Sequence, residues 1–141
     1  MRMRFYKCSI CGKIVAVVNE GAGETICCNL PMEELTPKTE EGALDEKHIP
    51  VLVRENNKLT VFIGELPHPM DTNHHIEWIA LCTNKGNQRK YINNQKEAKV
   101  TFNLDPDEKV LVVYAYCNIH GLWKRDLCAC TFRKDICACM K

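Results

Sequence analysis

Four cysteines within the first 28 residues constrain this chain more than any other feature of its sequence. Cys8 and Cys11 are separated by two residues, and Cys27 and Cys28 are adjacent. The two-residue gap lets both thiolates face one ion, and Gly12 lets the backbone come close and point N–H groups at sulfur. Ligation by four thiolates suits either zinc or a single iron, and the spacing alone does not choose between them.

The segment that carries these cysteines is very small. It ends at a polar linker, residues 36–42, that contains both proline and glycine and marks a shift in composition. A unit of this length can hardly bury enough apolar surface to fold unaided, so a bound metal would supply much of its stability. We predict one domain over residues 1–37, a second over residues 38–126 and a tail over residues 127–141.

The composition is that of a small soluble protein. The chain has 141 residues, of which 45% are hydrophobic and 26% charged, and its formal net charge is +1. A near-neutral charge gives no electrostatic reason to expect nucleic acid or a membrane as a partner. The longest apolar run near the N-terminus, residues 14–18, is too short for the core of a signal peptide. We therefore expect a cytoplasmic protein, and ten cysteines in such a chain favour metal ligation over disulfides.

The second domain has the pattern of a β protein. Its apolar runs are short and separated by turn signals, and they cover residues 49–53, 59–63, 76–81, 100–104 and 110–116. This cadence predicts a β-sandwich. Alternation predicts a single face for Val100, Phe102 and Leu104 in one strand. It does the same for Leu111, Val113, Ala115 and Cys117 in the last long strand, so that Cys117 emerges at the strand end.

Five residues of this domain give four imidazoles and one thiolate. They are His48, His68, His74, Cys117 and His120. Structural zinc takes four ligands, usually with more sulfur, whereas a five-ligand set rich in imidazole suits an iron that keeps one position open. The histidines lie in turn-like segments, where functional side chains commonly occur. The set therefore predicts a redox iron centre.

Taken together, these motifs resemble the desulfoferrodoxin family, the two-iron form of superoxide reductase. The resemblance covers residues 1–126. Zinc ribbons generally repeat the two-residue gap, whereas the adjacent Cys27-Cys28 pair resembles the desulforedoxin domain. The matching motifs are Cys8-x-x-Cys11, Cys27-Cys28, Glu46-Lys47-His48, His68-Pro69-Met70, His74 followed by Ile76-Glu77-Trp78, and Cys117-Asn118-x-His120-Gly121.

The resemblance implies a fold, two cofactors and a reaction. The fold is mostly β, with a small desulforedoxin- or rubredoxin-like metal-knuckle domain followed by an immunoglobulin-like β-sandwich. One iron, held by the four cysteines, transfers single electrons; a second, held by four histidines and Cys117, reduces superoxide to hydrogen peroxide. The implied partners are superoxide, a small redox protein such as rubredoxin as electron donor, and a second copy of the chain in a homodimer.

The resemblance also suggests roles for residues beside the ligands. Lys47 is a candidate for steering the superoxide anion and for organising the water that delivers the first proton. Glu46 would bind the ferric ion after turnover and displace the product, although a Glu-Lys pair in a loop is by itself typical of a solvated surface. The family's spacing from His68 implies that His74, rather than His75, is the ligand. Trp78 and Trp123 are expected to be core or site-shielding aromatics, and Cys82 a buried free thiol.

The C-terminal tail carries a symmetric double pair that the family does not require. Its cysteines are Cys128, Cys130, Cys137 and Cys139. Residues two apart on a strand face the same way, and a hairpin through residues 133–135 could bring the four thiolates together as a third metal site. A thiol–disulfide device and a disordered tail without a task are the alternatives.

Two other classes of function are open at this point. A metal-stabilised interaction module would use both cysteine clusters as zinc supports, but it gives no reason for four histidines and an embedded Glu-Lys pair. A metal-storage or metal-sensing protein would explain the cysteine-rich tail and little else.

Overall fold

A computed structural model describes residues 2–39, 48–64, 70, 72–92 and 97–127. Every regular element in these ranges is a β-strand, and all the strands named below pair in an antiparallel sense. The chain forms two compact units, one over Arg2–Thr36 and one that begins at Pro37. Within the described ranges, no helix is long and apolar enough to span a membrane.

Several residues singled out in the sequence lie outside the described ranges. They are Glu46, Lys47, His68, Cys128, Cys130, Cys137 and Cys139. Their roles therefore stay predictions.

The first unit is built from five very short strands. The strand β1 (Phe5–Lys7) pairs with β2 (Ile14–Ala16) and β5 (Glu33–Glu34), while β3 (Ile26–Cys27) pairs with β4 (Leu30–Pro31). Only Phe5, Cys8 and Met32 are buried in this unit. Three buried side chains are too few for an ordinary core, so this unit depends on another source of stability.

The second unit contains two antiparallel sheets. Its strands are β6 (Pro50–Glu55), β7 (Lys58–Ile63), β8 (Ile76–Thr83), β9 (Gly86–Tyr91), β10 (Lys99–Asn103), β11 (Val110–Cys117) and β12 (Gly121–Asp126). One sheet has the order β10-β7-β6 and the other β12-β11-β8-β9. Side chains from both sheets, among them Val61, Phe102, Ile79 and Val113, form one buried core. The predicted mostly β fold, with a small metal-knuckle domain and a β-sandwich, is confirmed.

The predicted common face of Val100, Phe102 and Leu104 is also confirmed, because all three side chains lie in this core. The packing of β10 onto the other sheet thus follows directly from the alternation of its sequence.

On β11 the alternation is only partly as predicted. Val113, Ala115 and Cys117 lie in the core, but the prediction for Leu111 is wrong, since that side chain is only half-buried. The pairing of β11 with β8 shifts register next to Val110, and Val110 enters the core instead. An irregularity of this kind adds a residue to one strand and reverses the faces beyond it. Cys117 nevertheless ends the strand fully buried.

Candidate metal centres

The first cysteine pair lies in a turn that points backbone N–H groups at sulfur. Sγ of Cys8 accepts hydrogen bonds from the N–H groups of Cys11 and Ile10, at 3.5 and 3.4 Å. These donors stabilise the thiolate and lower the pKa of Cys8 to about 6. Gly12 has a φ of 80°, and its N–H donates to the carbonyl of Cys8. The turn therefore favours a negatively charged sulfur.

The second cysteine pair lies at a tight hairpin between β3 and β4. Cys27 pairs with Leu30, which leaves Cys28 and Asn29 as the two loop residues. Both loop residues have positive φ, 52° and 63°, as a type I′ turn requires. Cysteine rarely adopts this conformation, which costs about 1 kcal/mol or more and usually marks a functional constraint. The turn gives the adjacent cysteines different backbone directions, so both thiols can reach one point.

The four sulfur atoms of Cys8, Cys11, Cys27 and Cys28, here called the four-cysteine centre, have the spacing of a metal site. All four lie within 4.8 Å of one another. Sγ of Cys27 is 3.6 Å from that of Cys11 and 3.9 Å from that of Cys28. Thiolates about 2.3 Å from a tetrahedral ion would be about 3.8 Å apart. The donors therefore fit one ion.

In the four-cysteine centre, neighbouring thiols make it harder for one another to lose their protons. Hydrogen bonds with Cys8 and then Cys11 raise the pKa of Cys28 to about 12, and a hydrogen bond with Cys11 raises the pKa of Cys27. Because ligation requires thiolates, an ion that binds here displaces these protons. A single bound cation thus offsets the repulsion between four neighbouring thiolates.

A second donor group lies at the end of β11. The described donor atoms of His48, His74, Cys117 and His120, here called the imidazole–thiolate centre, all lie within 4.8 Å of one another. Nε2 of His48 is 3.1 Å from Nδ1 of His120. Nitrogen ligands about 2.1 Å from an ion and at right angles would be about 3.0 Å apart. Sγ of Cys117 lies 3.8 Å from the same Nδ1.

The turn between β11 and β12 holds two of these donors. Cys117 pairs with Gly121, so residues 118–120 form a three-residue loop. Gly121 has a φ of 81°, in the left-handed region where glycine fits without strain. The N–H of His120 donates to Sγ of Cys117 at 3.4 Å. The backbone thus both aims the sulfur and stabilises its negative charge.

Asn118 joins this turn to the segment that carries His74. Its side-chain oxygen accepts from the N–H of His75 at 2.9 Å, and its amide donates to the carbonyl of Asn73 at 3.0 Å. Its backbone N–H donates to the carbonyl of His75. These three hydrogen bonds fix His74 between two anchored neighbours. The sequence alone does not assign a role to Asn118, although its place between Cys117 and His120 is a signal for one.

The ring of Trp123 covers one imidazole. It stacks on His48 with centroids 4.4 Å apart and planes at 8°. Both side chains are buried, His48 with only 2% of its surface exposed. His120 meets His48 and His74 edge to face, at 4.8 and 5.0 Å between centroids. Trp123 therefore shields the centre, one of the two roles predicted for it.

Three other residues considered in the sequence, His75, Cys82 and Trp78, are not among the grouped donors. Nε2 of His75 is 4.0 Å from a carboxylate oxygen of Glu77. Cys82 is a buried thiol outside any disulfide, as predicted, and burial raises its pKa. Trp78 is buried and stacks on Tyr116.

Comparison with known proteins shows that most of the chain matches one family. The desulfoferrodoxin family model matches residues 40–126, and the model of the desulfoferrodoxin N-terminal domain matches residues 1–35. The chain belongs to the desulfoferrodoxin family. The resemblance identified from the sequence motifs is therefore confirmed.

Similar proteins agree with this assignment. A desulfoferrodoxin homolog of Archaeoglobus fulgidus is 44% identical over 86% of this chain and 95% of its own length. A desulfoferrodoxin of Nitratidesulfovibrio vulgaris is 37% identical over 86% of this chain and 94% of its own. Among solved structures, the superoxide reductase of Treponema pallidum covers 89% of this chain and 98% of its own, with 28% identity and a TM-score of 0.76.

Both donor groups fit the two iron cofactors of a desulfoferrodoxin. One group is four thiols with tetrahedral spacing, and the other combines three described imidazoles with one thiol. The predicted pair of iron centres is confirmed at the level of the cofactors. His68, the predicted fifth ligand, lies outside the described residues.

Proposed function

We propose that this chain is a superoxide reductase whose catalytic iron is held by His48, His68, His74, Cys117 and His120. It converts superoxide, one electron and two protons into hydrogen peroxide. The observation that carries the proposal is the convergence of three imidazoles and a buried thiol within 4.8 Å, in a chain of the desulfoferrodoxin family.

The donor types suit the reaction. Bound ferrous iron would supply the electron at a site that attracts an anion. Neutral imidazoles leave the iron's charge uncompensated except by one thiolate, so the site carries about +1 charge in its reduced form. Cys117 is fully buried and accepts the N–H of His120, which keeps its thiolate stable and away from water. Trp123 covers the face of His48 and excludes water there.

Two charged residues complete the proposed mechanism. Lys47 draws in the superoxide anion and holds the water that delivers the first proton. Glu46 displaces the peroxide product after turnover. Their support is the Glu46-Lys47-His48 motif, which places both beside a donor of the centre.

The four-cysteine centre is the proposed entry point for electrons. Cys11 and Cys28 are exposed, and the neighbouring Ile10 and Ile26 expose 63% and 60% of their surfaces. Apolar side chains around an exposed redox centre suit a small redox protein, such as rubredoxin, that docks briefly.

The proposed function also includes a compartment, an oligomeric state and a third metal ion. None of the six cysteines in the described part of the chain forms a disulfide, as expected in a reducing cytoplasm. We place the protein there as a homodimer. The tail cysteines Cys128, Cys130, Cys137 and Cys139 are proposed to hold one further thiophilic ion, supported by their symmetric spacing alone.

Product stoichiometry tests the proposed reaction. Iron-loaded protein with excess reductant is mixed with superoxide, and peroxide and dioxygen are measured. A reductase yields one peroxide per superoxide and no dioxygen. Dioxygen at half the superoxide consumed indicates a dismutase and contradicts the proposal. The absence of any reaction also contradicts it and favours a metal-stabilised binding module.

A further inference from the structure

Lys38 is tied by its main chain to the strand that follows the imidazole–thiolate centre. Its N–H donates to the carbonyl of Leu122 at 2.9 Å, and its carbonyl accepts from the N–H of Lys124 at 3.0 Å. The two hydrogen bonds form an isolated parallel bridge opposite Trp123. Any residue except proline at position 38 could make both bonds. These two main-chain hydrogen bonds position the Lys38 side chain, but they would form with another side chain as well.

The side chain of Lys38 contacts the supports of two imidazoles. Its ammonium donates to the carbonyl of His120 at 2.9 Å and lies 5.2 Å from the centroid of the Trp123 ring. That ring stacks on His48. One cation therefore links the backbone of one donor to the shield of another. A charge-assisted hydrogen bond and a cation–π contact both resist displacement of the groups they join.

We propose that Lys38 is a positioning residue of the imidazole–thiolate centre, an inference that rests on the proposed function of that centre. By holding the His120 carbonyl and the Trp123 indole together, the ammonium keeps Nε2 of His48 and Nδ1 of His120 at their 3.1 Å spacing. That spacing suits two ligands of one ion. Supports behind the ligands of a metal commonly affect its affinity as well as its reactivity.

The charge of Lys38 has a second consequence. An ammonium next to a donor of the centre disfavours the more positive, ferric state relative to the ferrous state. Replacing Lys38 with methionine removes the charge but keeps an unbranched side chain. Replacing it with arginine keeps both the charge and N–H donors. The midpoint potential of the centre should therefore fall in the first variant and recover in the second.

Lys90 provides a matched control. Its ammonium donates to the carbonyl of Thr101 at 2.6 Å and lies 5.4 Å from the centroid of Phe102. It is exposed, like Lys38, and neither of its two partners belongs to a donor group. Lys90→Met thus removes the same two kinds of contact at a place where no grouped metal donors lie among the described residues.

The experiment compares Lys38→Met, Lys38→Arg and Lys90→Met with the unmodified full-length chain. Ferrous ion is titrated without oxygen against a competing chelator, and the ferric absorption band and midpoint potential are recorded. Lys38→Met should weaken binding at the imidazole–thiolate centre about three- to tenfold, lower its potential and shift the band. Lys38→Arg should restore affinity to within about twofold, and Lys90→Met should match the unmodified chain.

Equal affinity and potential in Lys38→Met and Lys90→Met would overturn the inference. So would failure of Lys38→Arg to recover either quantity, or a loss of thermal stability in Lys38→Met without a change in affinity. Superoxide stoichiometry of the unmodified chain is measured separately. If the unmodified chain reduces superoxide and Lys38→Met binds ferrous ion normally, only the positioning role is refuted. If the unmodified chain does not react with superoxide but Lys38→Met binds ferrous ion more weakly, only the proposed function is refuted.

Discussion

The four-cysteine centre and the imidazole–thiolate centre are built from opposite kinds of support. The first lies at two turns of a unit with three buried side chains, and two of its cysteines are exposed. The second lies at the end of a long strand in a two-sheet core, with Cys117 and His48 buried. In the small unit the metal must stabilise the fold, whereas in the sandwich the fold can hold donors around an ion with an open position.

Removal of the metal ions should affect the structure of the two units very differently, and this is the largest effect that we expect. Without its ion, the unit Arg2–Thr36 should lose its structure, because so little apolar surface is buried there. The sheets of the sandwich should persist. Amide hydrogen exchange before and after chelation measures both: full loss of protection is expected in the small unit, with β8 and β11 still protected. Equal loss of protection in both units would show that the small unit depends on metal no more than the sandwich does.

Asn118→Ala tests whether the sandwich pre-arranges its donors. The variant loses the two side-chain hydrogen bonds that anchor the neighbours of His74. We expect ferrous affinity at the imidazole–thiolate centre to fall about 10- to 100-fold, with the four-cysteine centre unchanged. Asn84→Ala is the control, since Asn84 accepts the N–H of Lys109 and is not among the metal donors grouped in the described part of the chain. Similar ferrous affinities in Asn118→Ala and Asn84→Ala would show that Asn118 does not position His74.

Lys47→Ala tests steering at the catalytic centre. Loss of a cation beside an anion-binding site should slow the second-order reaction with superoxide about two- to tenfold at low salt and weaken its dependence on ionic strength. Stopped-flow rates over a range of salt concentrations measure both effects. Lys58→Ala, an exposed lysine on β7, serves as the control. An unchanged salt dependence in Lys47→Ala would remove this residue from the mechanism.

The smallest effect on activity is expected from the tail. The N–H of Leu127 donates to the carbonyl of Leu111, and its side chain packs against the core. A truncation that spares these contacts therefore removes residues 128–141. Superoxide reduction should be unchanged. Protein purified under reducing conditions with zinc and iron should contain about one metal ion fewer per chain if the four tail thiolates bind one ion. Equal metal content in both forms would exclude the third site.

The sequence predicted the elements better than the connections between them. Apolar runs predicted five of the seven strands of the sandwich, because burial of one face enforces a period of two, whereas β9 and β12 were not predicted. The shift at Val110 could not be predicted, since it depends on how β11 pairs with β8. The positive φ of Cys28 was equally hidden, because glycine or asparagine is the usual signal for it.

At the sites, the sequence identified donors more readily than their supports. Residue type and spacing identify cysteine and histidine as donors, whereas the roles of Asn118 and Lys38 depend on contacts with residues distant in the chain. Asn118 binds the segment around His75, and Lys38 reaches His120 across 82 positions. Such contacts exist only after the strands have paired.

In the proposed function only the imidazole–thiolate centre reacts with superoxide, and a rapid-mixing experiment on two variants distinguishes the two centres. Iron-loaded Cys8→Ser and Cys117→Ser are fully reduced, then mixed with superoxide without further reductant, and peroxide is measured. Cys8→Ser should react at the rate of the unmodified chain, because the catalytic centre is intact. Cys117→Ser should be slower by about a thousandfold or more, about 4 kcal/mol in activation free energy. Equal loss in both variants, or normal reaction in Cys117→Ser, would contradict the account.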